Sequence, residues 1–174
     1  MKRPIVGVMG SGSEAWGERA EPLGRWLAGR GVHLLTGGGQ GVMASVSQAF
    51  HDTAGRDGLV IGVLPCGPDG PGSPRPGYPN AWVELPIRTH LPLSGTQGHE
   101  LGSRNAINVL TADVVVALPG SAGTRSEVEL AVRHGRPVVA WADASELPVP
   151  EGVTRASSLE EVTAFMERQL AAEG

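Results

Sequence analysis

The sequence predicts a doubly wound α/β domain: a mostly parallel sheet with helices on both faces. Three observations predict it. Short apolar runs alternate with segments of helical periodicity along almost the whole chain. Those runs are apolar at consecutive positions, as in strands buried on both faces. Three of them end in glycine clusters, GSGS at 10–13, GGGQG at 37–41 and PGSAGT at 119–124, where sheets of this kind bind ligands at their carboxyl ends.

The elements follow in order. IVGVM at 5–9 reads as a first strand, and 15–29 as a helix with Ala20, Leu23, Leu27 and Ala28 at helical spacing beside Trp16 and Trp26. VHLLT at 32–36 is a second strand, and Met43, Val46 and Phe50 give a second helix. LVIGVLP at 59–65 is a third strand. The segment 66–80 holds five prolines and four glycines, which excludes a helix or a central strand and leaves a surface loop or a lid. AWVELPI supplies a short edge strand. Residues 103–111 read as a helix whose Ile107 and Leu110 form a buried stripe. Then come the strand DVVVALP, a helix over 124–134, and the strand RPVVAWA. A last helix starts at SLEE, where Ser158 and Glu161 match a capping box. No linker or internal repeat interrupts the pattern, so residues 1–174 read as one Rossmann-like domain.

Composition narrows the function. The formal net charge is -4, and the densest basic cluster is KR at 2–3; no basic stripe faces a phosphate backbone, so nucleic acid is not an expected partner. Aromatic residues are 4%, few for stacking bases. No apolar run is long enough to span a bilayer and none reads as a signal peptide, so the expected location is cytoplasmic with no membrane partner. Cys66 is the one cysteine and the five histidines are dispersed, so no metal site is expected. GxxxxGK[ST] and GxGxxG are absent. PGSAG differs from a nucleophile elbow at Pro119, which disfavours Ser121 as a nucleophile.

What remains is backbone chemistry. Helix N-termini present unpaired N–H groups and a positive dipole end, and small residues let a phosphate approach them. Gly10, Ser11, Gly12 and Ser13 after the first strand are candidates for this role. So are Gly37, Gly38, Gly39 and Gly41 after the second, and Pro119, Gly120, Ser121, Gly123 and Thr124 after the fourth long apolar run. Val42 and Met43 are candidates to border a flat ring, with a core position as the alternative for Met43. Arg104 and Asn108 lie four apart on one helical face, and arginine suits bidentate phosphate binding. Glu127 has two readings. With Thr124 it spells T-x-x-E, a capping box. Otherwise it faces a ribose hydroxyl, or positive charge developing at an anomeric carbon.

Together these motifs resemble the Rossmann-like superfamily around LONELY GUY, often mislabelled lysine decarboxylases. Its hallmark PGGxGTxxE reads here PGSAGTRSE, with Arg104 nine residues before Asp113, and its GGG-x-GVM element reads TGGGQGVM. Two departures stand out. Ser121 replaces the second hallmark glycine, and Arg104-Asn105 replaces the Arg-Lys of the phosphoribohydrolase branch. The RN-x-IN wording and the short GGGQG turn look more like the molybdenum-cofactor carriers, which bind a phosphorylated pterin without turning it over. The resemblance therefore implies a binding protein for a phosphorylated heterocycle, either molybdenum cofactor or a nucleoside monophosphate. The alternative it implies is a phosphoribohydrolase that releases free base and ribose 5-phosphate, with Arg104 and Glu127 catalytic. It also implies homodimers or larger homo-oligomers.

Overall fold

The computed structural model describes residues 2–172. The chain forms β1 (Ile5–Met9), α1 (Gly17–Ala28), β2 (His33–Thr36), α2 (Val42–His51) and β3 (Val60–Leu64). A small antiparallel hairpin follows, β4 (Cys66–Gly67) with β5 (Gly70–Pro74), then β6 (Leu85–Arg88) and a 3-10 turn at Gly95–Gln97. The second half contains α3 (Asn105–Thr111), β7 (Val114–Ala117), α4 (Ala122–Arg133), β8 (Val138–Ala140), β9 (Thr154–Arg155) and α5 (Leu159–Ala172).

The main sheet is parallel at every pairing, in the order β6-β3-β2-β1-β7-β8-β9. The chain starts at the centre, winds outward through β2, β3 and β6, and returns to the other side of β1 as β7. The change of direction lies between β1 and β7, which is where a ligand crevice opens in such sheets. Because β1, β2 and β7 are adjacent and parallel, the three glycine clusters that follow them emerge at one edge, as expected from sequence.

Side-chain alternation builds two cores. Val6, Val8, Leu34, Val114 and Val116 pack with α1, α2 and α5 on one face. Met9, Leu35, Val115 and Ala117 pack with Val109 of α3 and Val128 and Ala131 of α4 on the other. Consecutive strand residues thus serve opposite cores, which explains the unbroken apolar runs.

Three local expectations change. The 66–80 segment is not plain loop, since it contains the β4–β5 hairpin. Pro68 and Asp69 make its turn, and Gly70 at φ 103 and Gly72 at φ 86 give β5 a backbone that suits glycine. In α3 the inward face carries Asn105, Asn108 and Val109, while Leu110 is exposed; polar residues take the position expected of an apolar stripe because they meet a polar site. At α5, Glu161 N donates to Ser158 Oγ at 3.3 Å, but the Glu161 carboxylate accepts from Ser157 N at 2.7 Å, one residue before the expected box partner.

Gly24 sets the approach of α1 to α2. A Cβ there would lie 2.6 Å from Val46 O and 2.9 Å from Ala49 Cβ. Helix propensity favours alanine by about 1 kcal/mol, but a backbone carbonyl cannot yield, and overpacking costs about 1–3 kcal/mol. Gly24→Ala is therefore expected to lower the urea midpoint with an unchanged slope; an unaltered midpoint would show that the helices can separate freely.

Candidate functional site

The turns after β1, β2 and β7 are bonded to one another. Ser11 N donates to Pro119 O at 2.9 Å, and Val42 N donates to Ser11 O at 2.9 Å. Ser11 Oγ accepts from Ser13 N and Glu14 N, closing the first turn. Close approach demands the glycines here. A Cβ at Gly120 would sit 2.2 Å from Thr124 Oγ1, and one at Gly41, whose φ is 62, would sit 2.3 Å from Ser11 O.

Above these turns lies a cavity of about 190 Å³. It is lined by Gly10, Gly12 and Gly37 from the turns after β1 and β2 and by Ser121, Gly123 and Thr124 at the start of α4. Met43, Arg104, Asn105 and Glu127 also line it. The other candidates do not line it: Ser11, Gly38, Gly39, Gly41, Pro119 and Gly120 shape the turns, and Ser13 is exposed at the surface. Val42 is corrected from ring border to core residue, fully buried, with its side chain 2.6 Å from where a Gly10 Cβ would be. Met43 is a core residue that also reaches the cavity.

Ser121 occupies its hallmark position without strain. It precedes α4 in an extended conformation, φ -97 and ψ -157, which any residue adopts, and its hydroxyl makes no capping bond. The hydroxyl is thus free for the cavity that it lines.

Glu127 is 7% exposed, and its carboxylate accepts from Asn108 Nδ2 at 2.9 Å. Arg104 Nη1 stands 3.9 Å away. The T-x-x-E spacing is not a cap, because α4 begins at Ala122 and Glu127 lies in its second turn. Burial pushes the Glu127 carboxyl above the ordinary glutamate range, against the opposing pull of the Arg104 charge and the Asn108 hydrogen bond. Folding therefore retains a proton at Glu127 that the unfolded chain releases. Its contribution to stability is full at pH below the ordinary glutamate value and is lost as pH rises through the elevated one. Stability of Glu127→Gln relative to the wild type should rise with pH across that window. A difference constant with pH would contradict the raised carboxyl.

Arg104 is 7% exposed and packs against Gly37, where a Cβ would meet Nη2 at 2.6 Å. Nη1 donates to Asn105 Oδ1 at 3.0 Å, and Asn105 Nδ2 donates to Gly123 O at 3.4 Å. Asn105 thus ties the arginine to the start of α4 by accepting and donating at once, which a lysine, having donors only, does not do. Arg104 Nε is buried without a hydrogen-bond partner among the described residues, as is Asn108 Oδ1. Buried polar atoms of this kind are uncommon and call for an explanation. An arginine donor beside a helix start, with glycine backbone around it, suits an oxyanion. Asp113, the other hallmark residue, is structural: it accepts from Ile5 N at 2.8 Å at the opposite edge of the sheet.

Besides Val8 and Met9 at the end of β1, sequence reasoning missed four lining residues, Arg75, Tyr78, Ser94 and Gly95. They fall in irregular segments with no periodicity, and only the possibility of a lid at 66–80 pointed towards the first two.

Residues 3–168 match the SLOG cluster4 family. The chain belongs to that family. Among solved structures similar to this SLOG cluster4 protein is the molybdenum cofactor binding protein of Rippkaea orientalis, 31% identical, with a TM-score of 0.74 and coverage of 98% of this chain and 99% of that one. The molybdenum cofactor carrier protein of Chlamydomonas reinhardtii is 30% identical, with a TM-score of 0.69 and the same two coverages. A cytokinin riboside 5'-monophosphate phosphoribohydrolase of Rhodococcoides fascians is 28% identical over 125 residues, 71% of this chain. That match spans about half of the enzyme's length, 54%. No helix among the described residues is long and apolar enough to cross a membrane. Among the same residues no group of three His, Cys, Asp or Glu side chains is placed to hold a metal ion.

Proposed function

We propose that this protein binds a phosphorylated heterocycle and acts as a carrier of the molybdenum-cofactor type. The single observation behind this reading is Arg104, a buried arginine with its Nε unpaired among the described residues, which lines a glycine-rich cavity together with the start of α4. In this reading the phosphate takes donors from Gly123, Thr124, Ser121 and Arg104, and the ring lies towards Met43. These groups fit a pterin phosphate. The chain's contacts would be to its phosphate and ring, and the metal would travel with the cofactor. Full-length likeness to two proteins named for molybdenum cofactor supports the carrier over an enzyme matched across half its length.

A second reading is favoured by one feature, the Glu127 carboxyl on the cavity wall beside Arg104. In a phosphoribohydrolase that carboxylate would face the positive charge that develops on ribose as the N-glycosidic bond breaks. Incubation of the purified protein with AMP separates the two. The carrier leaves AMP intact, whereas release of free adenine at a rate proportional to protein concentration would replace this reading with the enzyme.

A further inference from the structure

We propose that the segment after the β4–β5 hairpin is a two-ended ligand clamp, with Arg75 at its phosphate end and Tyr78 at its ring end. This rests on the phosphorylated-ligand reading above.

The segment is fastened on both sides of the cavity. On one side Asn80 Nδ2 donates to Gly39 O at 2.8 Å, Asn80 N to Gly38 O at 2.8 Å, and Gln40 Nε2 to Gly77 O at 2.9 Å. On the other, Arg75 donates through Nη1 to Ser94 Oγ at 3.1 Å and through Nη2 to Pro92 O at 2.8 Å. Both acceptors are neutral, and no carboxylate pairs with Arg75 among the described residues. Its charge is therefore available to the cavity that it lines.

Ser94 and Gly95 place that charge. A Cβ on Gly123 would lie 3.8 Å from Gly95 Cα, and Ser126 Oγ donates to Gly95 O at 3.4 Å. The Arg75 anchor thus adjoins the first turn of α4, so an oxyanion there has both Arg104 and Arg75 among the side chains that line the cavity. Tyr78 stands against the turn after β2. A Cβ on Gly39 would sit 2.6 Å from Tyr78 Cζ and 2.7 Å from Met43 Cε. Gly39 is bare because the phenol and the thioether converge on it, and together they give a planar ring an aromatic and polarisable wall.

Calorimetric titration with AMP, and with ribose 5-phosphate as a competitor lacking the base, tests both ends. Tyr78→Ala should weaken AMP about tenfold, as loss of one stacking partner does, and leave ribose 5-phosphate unchanged; Tyr78→Phe should bind both as the wild type does. Arg75→Gln should weaken both about tenfold and flatten the salt dependence. Equal weakening of both probes by Tyr78→Ala would reveal a structural strap and overturn the clamp, as would wild-type binding in Arg75→Gln. Wild-type binding of AMP with no competition by ribose 5-phosphate also overturns it. If the wild type binds neither AMP nor a pterin phosphate, the ligand reading itself fails, and the clamp with it.

Discussion

Arg104→Ala should lower affinity for AMP or a pterin phosphate by about a hundredfold or more, since truncating a buried, hydrogen-bonded charge costs about 2–5 kcal/mol. Three losses combine. The phosphate loses a charged donor, Asn105 loses the group that holds it against α4, and Glu127 is left buried without its nearest cation. The last effect also threatens folding, because an unpaired buried carboxylate is strongly disfavoured. The double variant Arg104→Ala with Glu127→Gln removes that penalty and should fold while still failing to bind. Arg104→Lys should fall between, keeping a charge but losing the planar fork. Wild-type affinity in a folded Arg104→Ala protein would place the phosphate elsewhere.

Glu127→Gln is the second large effect, and its sign depends on what the site does. If AMP is cleaved, turnover should fall by about a hundredfold, the usual consequence of removing one electrostatic stabiliser of a transition state. The amide keeps the shape and can still meet Asn108, so folding and AMP affinity should persist. In a carrier the same change acts on binding alone. A phosphate near Glu127 favours its neutral form, so Glu127→Gln should bind at least as tightly as the wild type, with the gain growing as pH rises. Weaker binding of an intact ligand by Glu127→Gln would mean that the carboxylate itself accepts a ligand hydroxyl.

Much of this was legible in the chain because it rests on local pattern. Consecutive valines and leucines announced strands buried on both faces, and the glycine clusters announced the turns at their carboxyl ends. Arg104 and Asn108 could be paired from helical spacing alone, and both converge on Glu127. The role of Glu127 was not legible, since T-x-x-E spacing looks the same in a cap and in a second helical turn facing a cavity. Leu110 misled because α3 turns its polar face inward to the site, a choice set by tertiary contacts. Val42 follows the last glycine of its cluster but fills the space over Gly10, and only the packing of three turns reveals that. Arg75 and Tyr78 reach the cavity through contacts with segments far away in sequence, for which no periodicity exists.

The most direct test is a calorimetric titration of the purified protein with a pterin phosphate, with the ligand recovered and identified afterwards. Saturable heat, a one-site isotherm lost in Arg104→Ala, and ligand recovered intact are the predicted result. No heat from the pterin phosphate or from AMP, at concentrations that saturate an ordinary phosphate site, would contradict the claim that this cavity binds a phosphorylated heterocycle.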